Sequence, residues 1–140
     1  MGAKKYLNDN DCIDFGTSKC FKKTAFLSPD PLITDVNNYN PIGFKDEKGK
    51  IIVSVLRLFT DGTGDRIITG LLSPSKPIGA AVTIQNVGNL DNIIIANNSY
   101  LSSPKNRFIL NYNMIISPNE SVSFVYDEID LRWRHIDGYK

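Results

Sequence analysis

From residue 51 onward, short apolar runs rich in β-branched residues alternate with turn-forming clusters, and this alternation constrains the fold more than any other feature. Gly, Pro, Asn, Ser and Asp fill the intervals, and these residue types favour turns. No window shows a 3.6-residue apolar period with helix caps. The pattern predicts an all-β fold, an antiparallel, jelly-roll-like β-sandwich. The predicted strands lie within residues 51–59, 66–70, 78–87, 91–96, 106–111, 120–127 and 131–136.

The last two runs predict a hairpin that contains the only Trp and the only His of the chain. Alternation places Val122, Phe124 and Tyr126 on one face of the first strand. In the second strand, Trp133 shares a face with Leu131 and His135, opposite the arginines at 132 and 134. Trp133 is therefore expected to pack on a sheet face.

The first 50 residues differ in character from the rest. They contain eight lysines and no arginine, and their apolar residues follow no sustained period. Such a segment buries too little apolar surface to order by itself. We expect residues 1–50 to be an extended anchoring arm and residues 51–140 to be the β domain. The alternative is a disordered tail. The aromatic residues expected to dock the arm on a partner are Tyr6, Phe15, Phe21, Phe26 and Tyr39.

Two cysteines and one histidine limit the metal chemistry that this chain can perform. Cys12 and Cys20 could form a disulfide or half of a metal site, but structural zinc needs four ligands. Free thiols are the simpler interpretation in a reducing compartment, and whether the two cysteines pair stays open. No apolar stretch predicts a signal peptide or a membrane span, and the net charge of +1 does not favour nucleic acid.

Two polar turns and the single histidine are the candidates for a catalytic or metal site. The sequence DGTGD (61–65) resembles a fragment of a calcium loop but lacks the full ligand pattern, so a plain turn is expected. The acids of DEID (127–130) are crowded into one turn beside arginines, whereas glycoside hydrolysis needs two acids across a cleft. His135 could act as the base of a catalytic triad only beside a nucleophile, and the sequence contains no GxSxG motif. We therefore expect no enzyme activity, no catalytic residue, no metal and no cofactor.

The apolar content of two strands predicts association between copies. Residues 51–59 and 91–96 are apolar on both faces, yet only one face of a sheet meets the core of a small two-layer domain. A domain of this size also buries a smaller share of its surface than a larger domain does, so its stability is marginal. A symmetric homo-oligomer would cover the second face.

Residues 78–136 contain an ordered series of short motifs. They are VTIQN followed by Gly88, the apolar III (93–95), a Ser/Asn loop, NRF (106–108), a Pro-x-x-S turn into a strand ending in Tyr-Asp, and RWR (132–134). This series resembles a module of bacteriophage virion proteins that occurs in head fibres, tail fibres and spike tips. The resemblance implies a β-sandwich, often trimeric, in a viral particle, with an N-terminal arm that anchors it.

Together these features predict a structural virion protein. The expected form is a short homotrimeric head fibre that decorates the capsid and is anchored by its arm on capsid or tail proteins. The alternative is a tail or collar fibre, or a carbohydrate-binding tip that adheres to host glycans, because flat aromatic rings stack on sugars. The candidate glycan-contact residues are Trp133, Tyr100 and Tyr112. No nucleic-acid or membrane partner is expected.

Overall fold

A computed structural model describes residues 25–75 and 79–136 in full, together with the backbone of residues 12–14 and 20–22. The described residues form strands, one short 3₁₀ helix at Pro104–Asn106 and no α-helix, which confirms the all-β prediction. The strands are β1 (Cys12–Asp14), β2 (Cys20–Lys22), β3 (Phe26–Leu27), β4 (Val55–Leu58), β5 (Arg66–Ile68), β6 (Ala81–Asn86), β7 (Ile93–Ile95), β8 (Phe108–Ile109), β9 (Met114–Ile116), β10 (Ser121–Asp127) and β11 (Arg132–His135).

Two sheets make up the body of the protein. The larger sheet has the strand order β3-β4-β6-β10-β11-β8, and the smaller sheet has the order β5-β7-β9. Strands β1 and β2 form a separate antiparallel pair. Consecutive strands of the chain therefore alternate between the sheets in its central part, since β4 and β6 belong to the larger sheet and β5 and β7 to the smaller one.

The pairing is mixed, and the prediction of an antiparallel, jelly-roll-like arrangement is wrong in this respect. The pairs β3–β4, β4–β6 and β5–β7 are parallel, and so is β8–β11. Jelly rolls are antiparallel architectures. The difference arises because successive stretches of the chain travel in the same direction and stack on one another.

Three such stretches, here called coils, lie side by side in register. Coil 1 covers residues 26–39, coil 2 residues 55–71 and coil 3 residues 81–96. Phe26 pairs with Val55, and Val55 pairs with Thr83. On the other side of the stack, Val36 bridges to Ile68, and Ile68 pairs with Ile95. This stacking of similar units, each in contact with its neighbours, is the arrangement of a short solenoid.

Strands β9 and β10 run in the direction opposite to the coils and close the stack. β9 pairs antiparallel with β7, with Ile115 opposite Ile94. β10 pairs antiparallel with β6, with Phe124 opposite Val82, and β11 returns as the predicted hairpin partner of β10.

The inner faces of both sheets share one apolar core. Trp133 lies at its centre without solvent exposure, and its ring meets that of Tyr126 edge-on at 5.1 Å between centroids. The Trp133 Nε1–H donates to the Leu71 carbonyl at 2.8 Å, which satisfies the polar end of the indole. Phe108 and Phe124 pack beside this pair, with centroids 4.9 Å apart. The other fully buried large side chains are those of Phe44, Leu56, Leu58, Ile68, Leu71, Ile84, Ile93, Ile95 and Ile116.

The boundary expected at residue 50 does not coincide with the beginning of the folded body. Leu32 and Phe44 are buried in the shared core, and β3 is a strand of the larger sheet. The backbone of coil 1 is also bonded to coil 2, for example from Leu32 N–H to the Phe59 carbonyl at 2.8 Å. The arm prediction is therefore wrong for residues 25–50. Pairing with coil 2 places their scattered apolar residues, such as Leu32 and Phe44, in the shared core.

Residues 98–107, here called the strap, tie coils 1 and 2 together. Ser102 Oγ accepts the Asn38 N–H at 2.9 Å and lies 2.7 Å from Thr69 Oγ1. Asn106 Nδ2 donates to Asn38 Oδ1 at 2.8 Å. Gly70 is required where the strap crosses coil 2, because an added Cβ would collide with Ser102 Oγ.

Candidate docking surfaces

The outer face of the smaller sheet carries a row of three isoleucines, here called the isoleucine row. Ile67, Ile94 and Ile115 lie opposite one another in the register of β5, β7 and β9. Their neighbours along each strand, such as Ile93 and Ile116, point into the core, so the three members of the row point outward. Ile67 and Ile94 are half-buried, and Ile115 on the edge strand is 58% exposed.

The outer face of the larger sheet has a different chemistry. Thr83 and Ser123 lie opposite each other, and their hydroxyl oxygens are 2.7 Å apart. Arg57 is exposed on β4 and lies beside Gln85. Most of this face is polar, although Phe26 and Val55 lie in the same row as Thr83 at its β3 edge.

The chain enters the described body at an edge of the larger sheet. β3 ends the strand order of that sheet, and Phe26 on it is 60% exposed. Ile42, in the connection after coil 1, is 97% exposed. Its neighbour Gly43 approaches the Leu27 side chain, since a Cβ there would lie 3.2 Å from it. Exposed apolar side chains therefore occur close to the point where residues 1–24 join the body.

The predicted docking aromatics do not form one group. Phe26 is exposed at the amino-terminal edge, whereas Tyr39 is half-buried against the core. Burial, reinforced by the charge of Asp30, raises the pKa of the Tyr39 hydroxyl to about 12. Tyr6 and Phe15, and the side chain of Phe21, lie outside the described residues. Of the two members whose side chains the structure describes, Phe26 is thus the exposed one.

The three candidate glycan-contact residues also differ in solvent exposure. Trp133 is completely buried and cannot stack on a sugar, which corrects the prediction that included it. Tyr100 and Tyr112 are 84% and 68% exposed. Asn97 connects their loops, because its N–H donates to Asn113 Oδ1 and its Oδ1 accepts the Leu110 N–H, each at 2.8 Å.

The DGTGD segment is a turn whose carboxylates are engaged within the protein. Asp61 Oδ1 accepts the Thr63 hydroxyl at 2.7 Å and pairs with Arg66 at 3.0 Å. The bond from Thr63, together with the charge of Arg66, lowers the pKa of Asp61. Asp65 accepts the Asn92 N–H at 2.8 Å and so links coil 2 to coil 3. Within the described residues, no group of three potential metal ligands occurs.

The carboxylate of Asp127, in the acidic turn between β10 and β11, is likewise engaged within the protein. Asp127 accepts the N–H groups of Ile129 and Asp130 and the Arg134 Nε–H, the last at 2.7 Å. These bonds lower the pKa of Asp127, the backbone bond from Asp130 contributing most. Leu131 has a φ of 57°, so it belongs to the turn and does not share the inward face of Trp133. The expected Leu131–Trp133 face is therefore incorrect.

Strand β9 was missed by the sequence prediction, although it carries the most exposed member of the isoleucine row. Its run MII (114–116) is short and lies between the turn-forming segments NYN and SPN. Two adjacent β-branched residues were the available signal. The run is too short for alternation to assign faces.

Family models, curated proteins and solved structures offer no match to this chain. No family model matches the sequence. No curated protein and no solved structure matches it either. In the part of the chain that the structure describes, there is no helix with the length and apolarity needed to span a membrane.

Proposed function

We propose that this chain is a non-enzymatic structural protein of a bacteriophage virion, a short homotrimeric fibre on the capsid. In this proposal the two sheets act as a sandwich around their shared core. The residues that precede β3 anchor the fibre on another virion protein. The similarity of residues 78–136 to fibre modules supports the assignment to a virion.

The observation that carries the proposal is the position at which the anchoring segment leaves the body. Residues 1–24 join the body directly at β3, an edge strand with the exposed Phe26. An edge strand offers backbone hydrogen-bonding groups to a partner strand, and an exposed aromatic ring adds apolar contact. A short anchor of this kind binds weakly alone, and three copies acting together would bind far more tightly.

Deletion of residues 1–24 tests the proposed anchor. The cut stops before β3 because Leu32 and Phe44 belong to the core and a longer deletion would unfold the body. The truncated chain is produced with the other structural proteins of its virion, and particles are purified and probed for it. We expect a folded, oligomeric chain that is absent from particles. Normal incorporation of the truncated chain would overturn the anchor.

A matched pair of point variants refines the same experiment. Phe26→Ser removes an exposed ring at the proposed anchor, and Leu90→Ser removes an exposed side chain in the loop between β6 and β7. We expect reduced incorporation of the first variant and normal incorporation of the second. Equal incorporation of the two would remove Phe26 from the anchor.

A carbohydrate-binding tip is the second candidate, and the two exposed tyrosines favour it. Tyr100 and Tyr112 lie on loops that Asn97 connects, so two rings and several amide side chains occur near one corner of the body. The test is a glycan array with the intact chain and with Tyr100→Ala/Tyr112→Ala, using Ile33→Ala as the control. Binding by the intact chain and the control, but not by the double variant, supports a tip. Binding that survives in the double variant contradicts it.

A further inference from the structure

We propose that three basic side chains, here called the basic corner, form a binding site for a dianionic phosphate group. The corner consists of Lys45, Lys105 and Arg132, which come from three distant parts of the chain. The fold gathers these cations at one place and leaves them without an acidic partner in the described part of the chain. The site goes beyond the proposed structural role and does not depend on it.

Hydrogen bonds around Ser73 bring the segments of the two lysines together. Lys45 Nζ donates to the carbonyl of the buried Ser73 at 2.8 Å. The Ser73 N–H in turn donates to Asn106 Oδ1 at 2.8 Å. Lys105 precedes Asn106 in the 3₁₀ helix, and its carbonyl accepts the Tyr126 hydroxyl at 2.8 Å. Lys45 and Lys105 therefore lie on either side of one small polar network.

Electrostatic effects show that the charges of the corner lie near one another. Burial, reinforced by the charge of Lys105, lowers the pKa of Lys45. Burial raises the pKa of Tyr126, and the Ser73 side chain and the charge of Arg132 oppose that rise. The 3₁₀ helix that carries Lys105 packs against β11, which begins at Arg132. Like charges held together repel one another, and a bound anion relieves the repulsion.

The acidic residues beside these cations are engaged elsewhere. Asp127 lies opposite Arg132 in the register of β10 and β11, yet its carboxylate accepts the Arg134 Nε–H at 2.7 Å. Asp46 follows Lys45, and its Oδ1 accepts two backbone N–H groups of its own turn, each at 2.9 Å. Among the described residues, no side chain of the basic corner forms an ion pair with a carboxylate, whereas Arg134 forms two. The positive charge of the corner is therefore not neutralised within the described body.

Arg132 offers the pair of donors that an oxyanion needs. Its Nη1 donates to the carbonyls of Leu131 and Asp130, at 2.9 and 3.2 Å. Its Nε is covered from solvent and is the only buried side-chain nitrogen or oxygen without a hydrogen-bond partner among the described residues. Rotation of this partly buried side chain would turn the Nε–H and the adjacent Nη2 toward a ligand. Two parallel N–H donors match two oxygens of a phosphate, and the bond would satisfy a donor that is costly to leave unpaired.

The number of cations favours phosphate over a carboxylate. Arg132 supplies directed donors, whereas the lysines supply point charges on flexible stems. Lys45 Nζ has three N–H groups, and the bond to Ser73 occupies one of them. A carboxylate carries a single charge, whereas a phosphate dianion carries two and has more oxygens to accept these donors.

Titration of the isotope-labelled full chain with sodium phosphate, followed by amide chemical shifts, tests the site. Sodium chloride at equal ionic strength is the reference, and sodium acetate is the singly charged oxyanion. We expect saturable shifts with phosphate at Lys45, Lys105 and Arg132, weaker binding of acetate and no saturation with chloride. The absence of saturable phosphate shifts at these residues would overturn the site, and equally tight binding of acetate would overturn its assignment to a dianion.

Charge-removing variants with a matched control locate the site. Arg132→Gln and Lys105→Gln each remove one cation of the corner, whereas Arg57→Gln removes an exposed cation from the outer face of the larger sheet. We expect phosphate binding to weaken at least about tenfold in Arg132→Gln and about threefold in Lys105→Gln, and to be unchanged in Arg57→Gln.

The exposed position of Lys105 keeps the proposal testable if Arg132→Gln does not fold. Lys105→Gln removes a charge without opening the core, and the dispersion of its amide signals checks that it is folded. Phosphate binding that is unchanged in Lys105→Gln, or equally weakened in Arg57→Gln, would overturn the basic corner as the site.

Discussion

The two sheets of this protein have inner faces of the same apolar chemistry and outer faces of different chemistry. Inside, both contribute fully buried side chains to one core, such as Ile84 and Phe124 from the larger sheet and Ile95 and Ile116 from the smaller one. Outside, the larger sheet presents a hydroxyl pair and an arginine, and the smaller sheet presents isoleucines. The two sheets therefore differ in the chemistry of their outer faces and not in that of their inner faces.

The difference is visible strand by strand. The side chains of β10 alternate in polarity, with Phe124 and Tyr126 inside and Ser121 and Ser123 outside. This is expected for a strand with one solvent-exposed face. β7 consists of three isoleucines and does not alternate in chemistry, although it alternates in burial. A strand that is apolar on both faces is typical of one that is covered on both. The comparison therefore shows that the smaller sheet is apolar on both faces at β7, whereas β10 of the larger sheet has one polar face.

The largest effect is expected from the inner face of the larger sheet. Trp133→Ala should lower the free energy of unfolding by about 3–5 kcal/mol, because it leaves a cavity and removes the hydrogen-bond donor of the Leu71 carbonyl. Denaturant unfolding at one fixed protein concentration measures it. Ile93→Ala in the smaller sheet should cost about 2–5 kcal/mol if the inner faces are equivalent. A loss below about 1 kcal/mol in either sheet would break that equivalence.

A smaller effect is expected from the side chain that joins the sheets. Asn86, on β6 of the larger sheet, donates to the Ile116 carbonyl of the smaller sheet and to the Asp91 carbonyl, each at 2.9 Å. Asn86→Ala should cost roughly 1–3 kcal/mol, because it leaves buried polar groups without a partner. Gln85→Ala, one residue earlier on the outer face, is the control and should be nearly neutral. Equal losses would argue against Asn86 as the link.

The outer face of the larger sheet should tolerate change more readily. Thr83→Val removes the bond to Ser123 and should cost about 1 kcal/mol in the same unfolding measurement. Adding Ser123→Ala should recover part of the loss, because the second hydroxyl no longer lacks its partner. A double variant that is less stable than the sum of the two single changes would contradict the paired interpretation.

The smallest effect concerns the exposed turn between β10 and β11 and depends on pH. The pKa of Asp127 is lowered from its ordinary value of 3.8, so ionised Asp127 stabilises the folded state above that pH, and the contribution is lost as the pH falls through the folded pKa. Asp127→Asn should therefore be less stable than the parent chain at pH 7, with a difference that disappears in stronger acid. Unfolding curves recorded between the two conditions measure it. A difference that persists unchanged in acid would contradict this assignment.

Several elements could be predicted because their signals are local. The hairpin of β10 and β11 follows from two alternating runs joined by a short acidic turn, and Trp133 was expected on a sheet face. The polar DGTGD and DEID segments were expected to be turns, and their bonds to nearby N–H groups are local interactions. The burial of the remaining candidate residues depends on contacts with residues far along the chain, such as that of Trp133 with Leu71. The sequence therefore could not distinguish the exposed Tyr100 from the buried Trp133 as candidate glycan contacts.

The sequence by itself determined that this chain forms strands, where most of them lie and which side chains of β10 point inward, because a strand's period and its turn residues are properties of neighbouring positions. Only the tertiary structure decided that the coils run parallel, that residues 25–50 enter the core and that three isoleucines from β5, β7 and β9 align on one outer face. Those features depend on which strands pair and in which register. Pairing brings together residues such as Phe26, Val55 and Thr83, whose proximity no local pattern encodes.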